Sequence, residues 1–412
     1  MFESSLLNHR VSRKFGLHSR CLVFAALCLT SVTGLSADRA RDLGVPFEGV
    51  TGQYNAITDV TGIEVGHTTL IRGEGPLVRG EGPVRTGVTA IHPRGKDSTS
   101  PVFGGWFTLN ASGEMTGTTW LEERGLIDGP ILITNTHSVG VVRDAAVEWM
   151  VDHGWSADWH APIAAETYDG RLNDINGFHV TREHALAALA SATPGPVLEG
   201  AVGGGTGMIC NRFKGGIGTS SRVVTHREVE YTLGVLVQCN YGAREHLKQI
   251  AGVSVVELHD ELLPCLSAQH FKGRGSVCKE VAAEADSGSR DGSIIVVVAT
   301  DAPLLPHQLK RIAKRPALAL GRLGAISGDG SGDIFVSFST AAADSLSENT
   351  LTSGLTMFPN NGLSMLFEAT VQATEEAIVN AMVAADTMEG ANGYTVYGLP
   401  EERLRAIMAA AK

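Results

Sequence analysis

The chain of 412 residues is 43% hydrophobic and 19% charged, with 49 glycines, a composition of compact, turn-rich folds and not of disordered chains. Its formal net charge is −11, and no stretch gathers enough lysine and arginine to follow a phosphate backbone, which argues against nucleic acid as a partner. That length accommodates one large core or two ordinary ones.

The first 37 residues read as a secretory signal. A basic region ending at Arg20 leads into the apolar run 21–29, and Leu35-Ser36-Ala37 offers a cleavage site before Asp38. The run is short for a membrane span, and no later segment approaches the roughly 18 apolar residues that one needs. The mature chain is therefore expected to be exported, periplasmic or secreted, without stable membrane insertion. Two cysteines, Cys21 and Cys28, fall in the signal, leaving Cys210, Cys239, Cys265 and Cys278. None has CxxC or Cys/His zinc spacing, so neither a metal nor another cofactor is expected. Export permits a disulfide, for which Cys265 with Cys278 is the candidate pair, buried free thiols being the alternative.

From residue 38 to 412 no repeat or long linker divides the chain, and it reads as a single domain. A β-branched run predicts a strand over 131–134, followed by helices over 143–151 and 182–192. The glycine run 203–207 lacks the Lys-Ser/Thr of a phosphate-binding loop and reads as a turn or as part of a site. A strand follows at 233–237. Residues 263–291 are then polar and rich in Gly and Ser, and suggest an exposed segment. They end abruptly at Gly292-Ser293, the start of a strongly apolar strand over 293–299. A helix over 308–314, a strand over 334–338, a helix over 366–385 and a terminal helix over 401–411 complete the pattern. In the long helix Phe367, Val371, Ile378 and Met382 share one face. Mixed elements of this kind imply an α/β layered sandwich.

No HExxH sequence and no nucleophile elbow occurs. The Gly292-Ser293 junction offers different chemistry. A Ser at the first position of a buried strand can hold its hydroxyl against the preceding carbonyl, and Gly292 lets the backbone adopt strained conformations. Attack converts the amide to an ester, and hydrolysis frees the Ser293 amine. An α-amine titrates near 7.7–8.0 and can act as general base to its own hydroxyl. Spacing alone favours an ordinary loop-to-strand junction.

The segment 291–304 (DGSIIVVVATDAPL) resembles the start of the β subunit in the L-aminopeptidase/D-Ala-esterase/amidase and β-peptidyl aminopeptidase family. Segments 134–140 (TNTHSVG), 165–170 (AETYDG), 202–207 (VGGGTG), 237–242 (VQCNYG) and 328–333 (GDGSGD) resemble the same family in the same order. The likeness runs from Arg39 to the C-terminus.

The resemblance implies a four-layer αββα sandwich, layered like the N-terminal-nucleophile hydrolases but connected differently. It implies self-cleavage into an α chain of 38–292 and a β chain of 293–412, assembled as a homotetramer of αβ units. Ser293 is then the nucleophile, assisted by Ser331 and Asp333. The acid is Glu in some relatives, so Asp333 has a shorter reach. Asn240 matches the oxyanion-stabilising Asn and Tyr168 a Tyr that supports it. An aminopeptidase needs an anion for the substrate's free amine, and Glu166 is the best carboxylate for that role, a structural ion pair being its alternative. Thr134, Asn135 and His137 are candidates to line the substrate pocket, His137 without a catalytic role.

The implied activity is release of N-terminal α-L-, D-Ala or β-amino acids from short peptides, amides and esters. Two rivals stand beside it. One is an acyltransferase of the ornithine acetyltransferase type, which has a Thr nucleophile where this chain has Ser293. The other is a non-catalytic binding protein on the same fold.

Overall fold

A computed structural model describes residues 39–266, 292–341 and 354–411. The expected signal over 1–37, nearly all of the polar segment 263–291 and Cys278 lie outside the described residues. Ten strands among those described build two large sheets: β1 (Glu64–Arg72), β2 (Val84–His92), β3 (Val102–Ala111), β4 (Leu126–Ile127), β5 (Ile131–Asn135), β6 (Ile163–Thr167), β7 (Gly216–His226), β8 (Val229–Asn240), β9 (Ser293–Thr300) and β10 (Gly332–Ser339). One sheet has the order β1-β2-β5-β6 and the other β4-β3-β10-β9-β8-β7. Neighbours are antiparallel except β5 with β6 and β9 with β10.

The α-helices among the described residues are α1 (Thr118–Arg124), α2 (Val139–Asp152), α3 (Arg182–Ala190), α4 (Pro306–Ala313), α5 (Pro316–Leu323), α6 (Leu363–Val383) and α7 (Glu401–Ala410). Strand β9 explains how the layers stack. Side chains alternate along a strand, so Ile294, Val296 and Val298 join one core with Leu309, Ile312 and Leu366 of α4 and α6. Ile295, Val297 and Ala299 join another core with Ile131, Ile133 and Ile163 of the second sheet. On that sheet's far side Val88, Ala90, Leu132 and Ala164 meet Val142 and Ala145 of α2 and Ala185 and Leu189 of α3. The order is helices, sheet, sheet, helices: a four-layer αββα sandwich. Both faces of β9 are covered, which is why it reads as an unbroken apolar run. Each such side chain contributes roughly 1.5–3 kcal/mol on burial.

Strands β2 and β7 escape a hydrophobic reading because polar residues sit inside them. In β7, Thr219 donates to Val235 O (2.6 Å), Ser220 donates to Ala373 O (2.6 Å), and Arg222 pairs with Glu376 at 2.8 Å. Helix α6 also departs from the one-faced expectation. Its Thr370, Thr374, Glu375, Glu376 and Asn380 are all buried. Glu376 pairs with Arg41 as well as Arg222, and Asn380 bonds Ala40 N and Thr219 O. The N-terminal residues of the described chain thus cover the side expected to face water, and paired polar groups make that burial tolerable.

Candidate active site

Strand register brings three segments to one line. Ser293, the first residue of β9, faces Asn240, the last of β8, on one side and Gly332, the first of β10, on the other. Gly332 N–H donates to Ser293 Oγ at 3.1 Å. Ser331 and Asp333 flank that donor, and the Ser331 hydroxyl donates to Asp333 Oδ1 at 2.7 Å. The register between β10 and β3 shifts between Asp333 and Ile334, a bulge of the kind that re-aims side chains at strand ends. Ser293, Ser331, Asp333 and Asn240 are all buried.

Gly292 does not have the left-handed backbone that strain would suggest. Its reason is space: a Cβ there would lie 1.9 Å from the Asn240 carbonyl oxygen and 2.9 Å from Tyr241 Cα. The residue before the nucleophile is pressed against the backbone that carries the oxyanion candidate.

Asn240 is held at both ends of its amide. Oδ1 accepts from Ile209 N–H (2.8 Å), and Nδ2 donates to the Tyr168 carbonyl (2.9 Å). The amide nitrogen carries two hydrogens, so one is left to meet a developing oxyanion. Tyr168 supports Asn240 through its backbone, while its side chain is half exposed.

Glu166 ends β6. Its Oε1 accepts from Glu114 N–H at 2.9 Å and its Oε2 from the Thr136 hydroxyl. Burial pushes its carboxyl above the usual carboxylate range, against the pull of those two hydrogen bonds. No lysine or arginine among the described residues pairs with it, so the structural ion pair considered above is not found there.

A cavity of about 810 Å³ collects these groups: Ser293, Gly292, Asn240, Tyr168 and Glu166 all line it. Among the described residues, no cluster of three His, Cys, Asp or Glu side chains could hold a metal. Residues 55–396 match peptidase family S58. The chain belongs to peptidase family S58.

The relatives of this S58 peptidase are close. It is 57% identical to the β-peptidyl aminopeptidase BapA of Sphingosinicella microcystinivorans over 389 residues, covering 94% of this chain and 96% of that one. It is 47% identical to the enzyme of the same name from Sphingosinicella xenopeptidilytica, covering 93% and 94%. The solved structure of the L-aminopeptidase D-Ala-esterase/amidase of Ochrobactrum anthropi, described as a variant of the Ntn hydrolase fold, superposes with a TM-score of 0.80. That pair is 44% identical and covers 90% of this chain and 98% of the other. The S58 chain is a serine-type aminopeptidase with an Ntn-hydrolase-like fold.

Not every expected residue of the S58 peptidase lines the cavity. Asn135 donates to Thr86 Oγ1 (2.8 Å) and Asp169 Oδ2 (3.1 Å), which ties it into a buried network. Asn173 completes that network, in which burial pushes the Asp169 carboxyl up to about 6. Thr134 donates to Gly87 O at 2.8 Å, and exposed His137 stacks on Phe178 with ring centres 5.8 Å apart. Neither lines the cavity. The glycine run 203–207 is a buried crossing between the sheets, where a Cβ at Gly204 would meet Gln238 Oε1 at 2.2 Å and Ile133 O at 2.6 Å.

Other lining residues went unread in the sequence: Glu114, Thr136, Arg171, Arg212 and Tyr394. Thr136 and Arg171 lie within or just past the segments that carry the family likeness, and that adjacency was the available signal. A disulfide also went unread. Cys210 bonds Cys239, 29 positions away in sequence, with Cα atoms 5.5 Å apart. It joins the neighbour of Ile209 to the neighbour of Asn240, bracing the hydrogen bond that orients the amide. Cys265 is also disulfide-bonded, and its expected partner Cys278 is outside the described residues.

Proposed function

We propose that this S58 peptidase is a precursor that cuts its own Gly292–Ser293 bond and then, through Ser293, removes N-terminal β-amino acids from short peptides. The observation that carries the reading is one cavity holding a strand-start serine, an oriented Asn amide and a buried carboxylate with no cationic partner among the described residues. In the precursor, Ser293 Oγ attacks the Gly292 carbonyl carbon, the C–N bond breaks, and an ester replaces the amide. Water hydrolyses that ester, leaving a carboxylate on Gly292 and a free amine on Ser293.

In turnover the Ser293 amine takes the proton from its own hydroxyl as Oγ attacks the substrate's first amide carbonyl. Asn240 Nδ2–H stabilises the oxyanion. The amine returns the proton to the leaving nitrogen, and water releases the acyl-enzyme. Ser331 and Asp333 hold the Gly332 corner from which Ser293 Oγ receives its N–H. Glu166 binds the substrate ammonium. An anchor fixed relative to the nucleophile selects the distance between amine and carbonyl, and that distance separates β- from α-amino acids. The two BapA relatives favour the β choice.

The Cys210–Cys239 bond supports export to an oxidising compartment, as does the signal read over 1–37, with 38–412 as one catalytic domain. Among the described residues no helix is long and apolar enough to cross a membrane. The proposed assembly is a homotetramer of αβ units. Intact-mass analysis with N-terminal sequencing tests the reading: two chains are expected, one beginning at Ser293, with release of β-alanine from a β-alanyl dipeptide. A single chain that stays uncut while the dipeptide is hydrolysed would overturn it.

A further inference from the structure

Lys214 is fully buried, yet no carboxylate among the described residues pairs with it. Burial alone pulls its ammonium down to about 7, and an unpaired charge in such a place is costly. Its Nζ donates to three backbone carbonyls: Gly215 O at 2.7 Å, Met208 O at 2.8 Å and Gly205 O at 3.5 Å. Three acceptors match the three hydrogens of an ammonium, where a neutral amine offers two.

Lys214 ends a small hairpin in which Phe213–Lys214 pairs with Ile209–Cys210, and Ile209 is its direct cross-strand partner. Buried Arg244 holds the turn between them through Asn211 O at 2.9 Å and Arg212 O at 2.7 Å. The Met208 carbonyl that Lys214 binds belongs to the same peptide group as the Ile209 N–H. That N–H donates to Asn240 Oδ1 at 2.8 Å. The Lys214 ammonium, the 208–209 peptide and the Asn240 side-chain amide thus form one line of hydrogen bonds, ending at the free Nδ2 hydrogen. Amides are conjugated, so a donor on the oxygen draws electrons from the nitrogen and makes its N–H a better donor. Each bond in such a line strengthens the next.

We infer that Lys214 is a positioning residue for catalysis, acting through the 208–209 peptide to orient and strengthen the Asn240 N–H that meets the oxyanion. This rests on the aminopeptidase reading above. The negative charge on the substrate oxygen develops only towards the transition state. A stronger donor there raises kcat and leaves ground-state binding alone. No proton moves along the line; the cation at its far end polarises the two amides between.

The test is Lys214→Met, which keeps an unbranched stem and removes the charge and the donors. Met208 O still accepts from Gly215 N–H at 3.0 Å, so that carbonyl is not orphaned. With a β-alanyl dipeptide, the processed variant is expected to lose roughly two- to eightfold in kcat with KM unchanged. That loss is roughly 10–30% of the free energy behind a donor worth about 10²–10³ in rate. Lys214→Arg, which returns a cation, should recover part of it. In an Asn240→Ala background the Met substitution should cost nothing further, whereas a residue that only supports the fold would cost the same in both. One readout needs no variant: nitrogen NMR of lysine-labelled wild type should show Lys214 Nζ as an ammonium at the pH of maximal kcat. A neutral amine there, an unchanged kcat or a loss confined to KM in Lys214→Met, or equal losses in both backgrounds would each overturn the relay. Correctly cut wild-type enzyme that fails to hydrolyse the dipeptide would instead remove the aminopeptidase reading beneath it.

Discussion

The two sheets contribute to the site by different means. The six-stranded sheet aligns Asn240, Ser293 and Gly332 through backbone register, and its hydrogen-bond ladder fixes their separations. The four-stranded sheet offers Glu166 from the end of a parallel pair, where the side chains of Thr136 and the backbone of Glu114 hold the carboxylate. On the function proposed above, chemistry would rest on main-chain geometry, and recognition on side chains facing it across the sandwich. Substitutions in the second sheet can change what is bound without moving the nucleophile.

If that division holds, changes in the six-stranded sheet should act on processing and kcat, and changes in the four-stranded sheet on KM. The largest effect is expected from Ser293→Ala, which should abolish both the chain cut and turnover. Intact mass and a hydrolysis assay check it, and an active variant would take Ser293 out of the mechanism. Asn240→Ala should next lower kcat by roughly 10²–10³ with little change in KM. A defect confined to KM would move Asn240 from the chemical half of the comparison to the binding half.

Gly292→Ala forces backbone apart at the Asn240 carbonyl, 1.9 Å from the new Cβ. Misplacement of that order costs about 10²-fold, so the cut should slow by about that factor in a time course of precursor mass. Cleavage at the wild-type rate would mean that the close approach has no part in processing.

The smallest effect falls in the other sheet. Glu166→Gln should raise KM by roughly 30-fold, the loss of a buried charge partner worth about 2 kcal/mol. The pH profile sharpens this. The Ser293 amine must be neutral and Glu166 ionised, so kcat/KM falls as pH drops below the amine pKa. It falls more steeply below the raised pKa of Glu166, because burial returns that group's proton at a higher pH than for an exposed glutamate. The Gln variant should lose the second, steeper limb. Retention of that limb would assign it to another group.

The parts of this architecture that could be read from the sequence are those where local pattern and final environment agree. Strand β9 is apolar on both faces, and its run of Ile and Val announces it. Strands β2 and β7 were missed because their buried polar side chains find partners far along the chain, as Ser220 does at Ala373. The same distance hid Cys210 from Cys239, because spacing says nothing of two strand ends meeting in space. Asn135 lies in a segment with the family likeness, yet its amide turns inward to Asp169 and away from the cavity. Arg212 carries no pattern at all, and only the folded chain brings it to the cavity of Ser293.

Strand β9 lies inside its sheet, bonded along its length to β8 on one side and β10 on the other. The proposed cut before Ser293 would therefore leave two fragments that share one ladder, each filling a gap in the other. Such a molecule keeps its shape as an inheritance from the uncut chain. Once heat opens the sheet, refolding becomes an encounter between two molecules, and the thread that first guided them together no longer exists. Its working life is then set by how slowly the sheet opens, and not by a balance between folded and unfolded forms.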